Sequence, residues 1–183
     1  MEIRDSEKLI LLMLCDLYEK NNVVGDIDHN FVRDAIYDHQ SWAIPWRFSG
    51  IPFNDQETPV KVKTVLDILE MWRVIEYSYS EFNNEEKTKV AEDASPFGRN
   101  PIFRGFDGNN ETDFLVAADF IINKLGRFEE FKGRDLNSHS PSVDGYLRML
   151  NVFTPQFREN DGRPLSVEQL TSLLLEKVHP SNR

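Results

Sequence analysis

The apolar residues of this chain recur at helical spacing almost throughout, and strand-like alternation never extends beyond a few residues. The pattern predicts six main helices. The first runs from about Asp5 to Lys20, capped by Asp5 or Ser6. Its run Leu9 to Cys15 leaves little polar face and predicts a largely buried helix. A second, from about Asp28 to His39, carries Phe31, Ala35 and Ile36. The third is the clearest: Thr58 caps it, Pro59 takes its first turn, and Val65, Ile68, Leu69, Trp72, Ile75 and Tyr79 follow its stripe toward Glu81. A fourth starts near Asn110 and ends at Gly126. A fifth runs from Ser142 to about Phe153 and stops before Pro155. A sixth begins at Ser166, where Ser166 and Gln169 have capping-box spacing.

The segments between are of three kinds. Ser41 to Gln56 is irregular but holds Trp42, Trp46, Phe48 and Phe53, so it packs down or covers something. Asn83 to Asp93 is polar, either an exposed helical extension or a loop. Ser95 to Asn110 and Gly133 to Pro141 are connectors rich in glycine, proline or polar residues. The expected architecture is an all-α, multihelical single domain over residues 1–183. It allows two subdomains, 1–82 and 103–183, that share a core across a polar connector at 83–102.

Charge narrows the function. With 21 basic and 31 acidic side chains the net charge is −10, which repels phosphate backbones and anionic lipid at long range. Lysines and arginines are scattered in ones and twos along the chain, so neither nucleic acid nor membrane is an expected partner. The single cysteine, Cys15, cannot form an internal disulfide and suits a reducing compartment. No apolar run approaches the length of a membrane span, and the N-terminus lacks the cationic start of a signal peptide. A cytoplasmic location is the expectation.

Candidate chemistry is sparse. On the fifth helix, Asp144, Arg148 and Asn151 fall in one narrow polar strip beside an apolar face. One reading pairs Asp144 with Arg148 and bonds Asn151 to a loop carbonyl; the other makes Arg148 an anion- or carboxylate-binding group at a pocket edge. In Phe103-Arg104-Gly105-Phe106-Asp107-Gly108 the glycines allow a tight turn that the two phenylalanines anchor. There, Asp107 caps the next helical segment or meets Arg148 or Arg127. His29, His39, His139 and His179 stand in no metal-ligand spacing, and Asp26 and Asp28 read as helix caps. The Asp107–Thr112 segment fails the register of a calcium loop, and no phosphate-loop, dinucleotide or nucleophile-elbow motif is present. No catalytic residue, metal ligand or cofactor is expected.

Four short segments carry a resemblance when taken in order: Asp67-Ile68-Leu69-Glu70-Met71-Trp72, Gly105-Phe106-Asp107, Gly126-Arg127-Phe128, and Arg148-Met149-Leu150-Asn151-Val152-Phe153. In that order and spacing the chain resembles the YfbU family of bacterial proteins. The resemblance implies an all-helical fold without an assigned chemistry. Some members look fused to helix-turn-helix modules, which implies a sensing or ligand-binding role. The leading expectation is therefore a non-enzymatic regulatory domain that binds a small molecule or a protein, through Arg148, Asn151, Asp107, Arg127 and Trp46. The alternatives are an enzyme with a carboxylate–arginine site at Asp107, Arg127 and Arg148, and a structural homo-oligomer joined through the aromatic loop.

Overall fold

The computed structural model describes residues 3–53, 57–178 and 181. It is all-α, with eight α-helices among the described residues: α1 (Asp5–Lys20), α2 (His29–Tyr37), α3 (Ala43–Arg47), α4 (Val60–Glu81), α5 (Asn84–Asp93), α6 (Thr112–Asp119), α7 (Val143–Glu159) and α8 (Val167–Leu175). No strand forms among the described residues; one isolated parallel bridge joins Phe106 and Asn137. The helix α4 lies at the centre. Its Val65, Ile68, Leu69 and Ile75 are fully buried, because its apolar stripe is wide enough to face α6, α7 and α8 at once.

Several boundaries differ from the sequence expectation. The polar 84–93 segment is a helix because Asn83 accepts hydrogen bonds from Glu85 and Glu86 N–H while Glu86 caps Asn83 in return. Pro59, not Thr58, occupies the N-cap of α4, and no side chain caps that end. The helix α7 continues through Pro155 to Glu159, because Phe153 and Phe157 stack at 5.1 Å across the proline turn. A five-residue π-helical turn, Phe120–Lys124, follows α6 and keeps Phe120, Ile121 and Ile122 all in the core. Ser166 and Gln169 form the capping box that their spacing predicts.

The aromatic segment does pack down. Trp42 is buried against Trp46 and Phe120, and Phe48 meets Phe31 edge-on at 5.9 Å. Its last residues, 54–56, lie outside the described part, as does His179. The first helix is the main departure. Cys15 is buried in α1, yet Leu9, Ile10, Met13, Leu14 and Leu17 are between 46% and 61% exposed. Leu11 and Cys15 form the covered edge of α1, with Ile3 packing just before it, and Arg33 of α2 ties the helix down through Asp16 and Glu19.

One carboxylate ties the start of α6 to the start of α7. Glu111 accepts hydrogen bonds from the N–H groups of Asp107, Ser142 and Val143 and from the Ser142 hydroxyl, at 2.8–2.9 Å. Burial pushes its pKa up, but those bonds outweigh it and leave the pKa below the ordinary 4.5. Its stabilisation is therefore fully present above about pH 4.5 and is lost as pH falls through the depressed folded value. Glu111→Gln places an amide against those donors and is expected to cost about 3 kcal/mol at neutral pH. Urea melts of both proteins at pH 7 and pH 3 check this: the gap should shrink at the lower pH.

Candidate functional site

The predicted site residues fall into separate places. Asp107 is 2% exposed; it accepts hydrogen bonds from Asn109 N–H at 3.0 Å and from the Asn110 side chain, so it is the turn cap allowed by the sequence. The Asn110 amide, then the Asn109 N–H, hold its pKa below the ordinary carboxylate value. Arg127 lies over the Trp46 ring at 4.6 Å, a cation–π pair on the surface. Asn151 is exposed and makes no side-chain hydrogen bond among the described residues. The structure thus joins Arg127 to Trp46 but does not bring Asp107, Arg127 and Arg148 into one hydrogen-bonded set.

Arg148 has a different partner from the expected Asp144. Its Nε donates to the Glu176 carbonyl at 3.0 Å and an Nη donates to the Lys177 carbonyl at 3.1 Å. These carbonyls lie at the C-terminal end of α8, where a guanidinium complements the helix terminus. Arg148 therefore pins the turn that carries Lys177.

Lys177 is the residue that sequence reasoning missed. It is half-buried, and its ammonium lies 4.9 Å from the Phe97 ring centroid and 5.5 Å from those of Trp72 and Tyr146. No carboxylate pairs with it among the described residues. Burial, then the nearby Arg104 charge, push its pKa down from 10.5 to about 8. The three ring faces return part of that cost.

Lys177, Trp72 and Phe97 line a cleft of about 370 Å³ whose other walls include Arg99, Arg104, Asn100 and Pro101. Arg99 and Arg104 are exposed at its rim. Each is set there by local chemistry: Tyr79 Oη donates to the Arg99 carbonyl at 3.2 Å, and Glu76 accepts the Phe103 N–H at 2.8 Å. The same Glu76 holds Arg134 in a bidentate pair at 2.8 Å, which fixes the carboxylate for its backbone contact. Trp72 is 1% exposed, and its indole N–H is buried with no acceptor among the described residues.

The cleft thus gathers three cations and an amide, with no acidic side chain in its wall among the described residues, in a chain of net charge −10. A larger hollow of about 560 Å³ lies between α2 and α6, but its lysine, Lys61, is already paired with Asp113. The family model of the YfbU domain matches residues 39–175, most of the chain. The chain belongs to the YfbU family. The matched span holds Trp72, Arg99, Arg104 and Arg148 of the cleft region. Lys177 lies two residues beyond it, and α1 and α2 precede it. Within the YfbU domain, the segment at 67–72 supplies Trp72 to the cleft floor, and that at 148–153 supplies the arginine behind it.

No helix among the described residues is long and apolar enough to cross a membrane.

Proposed function

We propose that the chain is a non-enzymatic, ligand-binding regulatory domain whose site is the Lys177 cleft and whose ligand is a small anion, a phosphate or carboxylate compound. The observation that carries this reading is a half-buried ammonium held between three rings with no carboxylate partner among the described residues. Keeping a charge there costs stability unless a counter-charge arrives. Arg104 and Arg99 at the rim add attraction and bidentate donors for an oxyanion. Arg148 acts behind the site as a positioning residue, through the Lys177 carbonyl.

Binding an anion raises the Lys177 pKa back toward its ordinary value, so binding takes up a proton near pH 8. Affinity is greatest below about pH 8 and falls as Lys177 loses its proton. Native mass spectrometry of gently purified protein identifies a retained ligand. Calorimetric titration with inorganic phosphate and with citrate at pH 7 and pH 9, in buffers of different ionisation enthalpy, measures the proton uptake. Arg104→Gln is expected to weaken binding by about tenfold, equivalent to about 1.4 kcal/mol. Absence of binding to any phosphate or carboxylate at millimolar concentration, with no retained ligand, would sink the proposal.

A second reading is favoured by the depressed pKa itself. An amine partly neutral near pH 8 can attack a carbonyl and form a Schiff base. Among the described residues the cleft wall contains no carboxylate, histidine or hydroxyl to move the protons of that step, so binding ranks first. Borohydride trapping of an adduct on Lys177 would reverse the ranking.

A further inference from the structure

The exposed face of α1 requires its own account. Leu9, Met13 and Leu17 form one row at four-residue spacing, and Ile10 and Leu14 form the row beside it. Their exposures are 61%, 60% and 54% in the first row and 56% and 46% in the second. Together they present on the order of 500 Å² of apolar surface, more than the few hundred at which an exposed patch marks an interaction site. Val24, at 98% exposure in the turn after α1, extends the same character. Surface helices of a monomer turn such a face inward.

We infer that α1 is a homodimer interface, in which the helix packs antiparallel on α1 of a second copy about a two-fold axis at Met13. Three features favour a second copy over an unrelated partner. First, the apolar row is symmetric about Met13: Leu9 and Leu17 lie four residues to either side, so an antiparallel copy sets Leu9 against Leu17 and Met13 against Met13. Second, the ends do not repel under the same operation: Asp5 pairs with Lys8 and Glu7 with Arg4 within the first turn, and Lys20 in the last turn of the other copy meets that neutralised end. Third, the area suffices, since two such faces bury roughly 1,000 Å², the size at which specific interfaces begin. The end-to-end arrangement also carries Val24 toward the start of the other copy's helix. The interface is independent of the Lys177 cleft, which lies on other elements.

The test is the mass of the full chain in solution with a geometric cross-link. Sedimentation equilibrium at tens of micromolar is expected to give twice 21.3 kDa for the parent protein. Met13→Asp places like charges on the axis and is expected to give a monomer with unchanged circular dichroism. Met13→Cys is expected to form an intermolecular disulfide on mild oxidation, because the axis brings each residue 13 to its own copy; the parent, whose Cys15 is buried, is not. Leu9→Cys mixed with Leu17→Cys is expected to cross-link, and Leu9→Cys alone is not. A monomeric parent overturns the interface and leaves the face to a different partner. A dimer that survives Met13→Asp also overturns it, and cross-linking of Leu9→Cys with itself overturns the antiparallel arrangement.

Discussion

Gly105→Ala is expected to abolish cooperative folding. Gly105 has φ +83°, a left-handed conformation that a side chain disfavours, and an added Cβ would sit 1.8 Å from the Leu136 carbonyl oxygen and 2.2 Å from its carbon. Neither strand of backbone is free to withdraw. Phe106 N–H donates to the Leu136 carbonyl at 2.9 Å, and Ser138 N–H donates to the Phe106 carbonyl at 3.0 Å. The Gly105 carbonyl itself accepts from the Ser142 and Tyr146 hydroxyls at 3.1 Å, tying the crossing to α7. Clash and lost bonds together are expected to exceed about 4 kcal/mol, against a total stability of about 5–15 kcal/mol for a typical domain. Gly126→Ala is the control. Gly126 also has positive φ, at +64°, but no atom lies within 4 Å of the added Cβ. Its expected cost is only about 1 kcal/mol. Thermal melts followed by circular dichroism separate the two. Equal losses would mean that the crossing at Leu136 relaxes and does not hold the Arg104 segment.

Lys177→Met is expected to stabilise the unliganded protein and to abolish anion binding together. The unfolded amine keeps its proton to about pH 10.5, while the folded one releases it at about pH 8. Between those values the unfolded state binds more protons, so the parent gains stability as pH rises. The cost of the buried charge is thus fully present below pH 8 and is gone above about 10.5. At neutral pH it amounts to roughly 3 kcal/mol, reduced by the ring contacts, so the methionine variant should gain about 1–2 kcal/mol. Chemical denaturation of parent and variant at pH 7 and pH 10 checks the sign. The variant should lead at pH 7, and the gap should close at pH 10. A variant less stable at both, by the same margin, would make Lys177 a packing residue and remove the main support for the ligand proposal.

The site was partly legible in the sequence. The narrow polar strip on the fifth helix pointed to Arg148, and Arg148 does lie behind the cleft. Its partner was missed because the i,i+4 rule sees only one helix, whereas the carbonyls it binds belong to the end of α8. Arg104 sat inside a segment read as an anchored turn; that reading describes Phe103 and Phe106 but not the side chain between them. Lys177 offered no signal beyond a lone lysine after an apolar stripe, the commonest way for a helix to end. Scattered lysines and arginines were read as excluding a basic patch, but folding gathers Arg99, Arg104 and Lys177 from two distant stretches.

By itself the sequence determined the family, the all-helical class, the central helix with Trp72 in its stripe, and the acidic surface. Each rests on local periodicity or on composition, which need no knowledge of what lies opposite. Tertiary structure alone decided which apolar faces found a partner. The seven-residue apolar run of α1 has the composition of a core helix, yet the protein covers one edge of it and leaves the rest open. Burial depends on the area that neighbouring elements supply, and a periodicity records only the demand. The same limit applies to Lys177, whose low pKa comes from burial and from an arginine that no spacing along the chain could bring together.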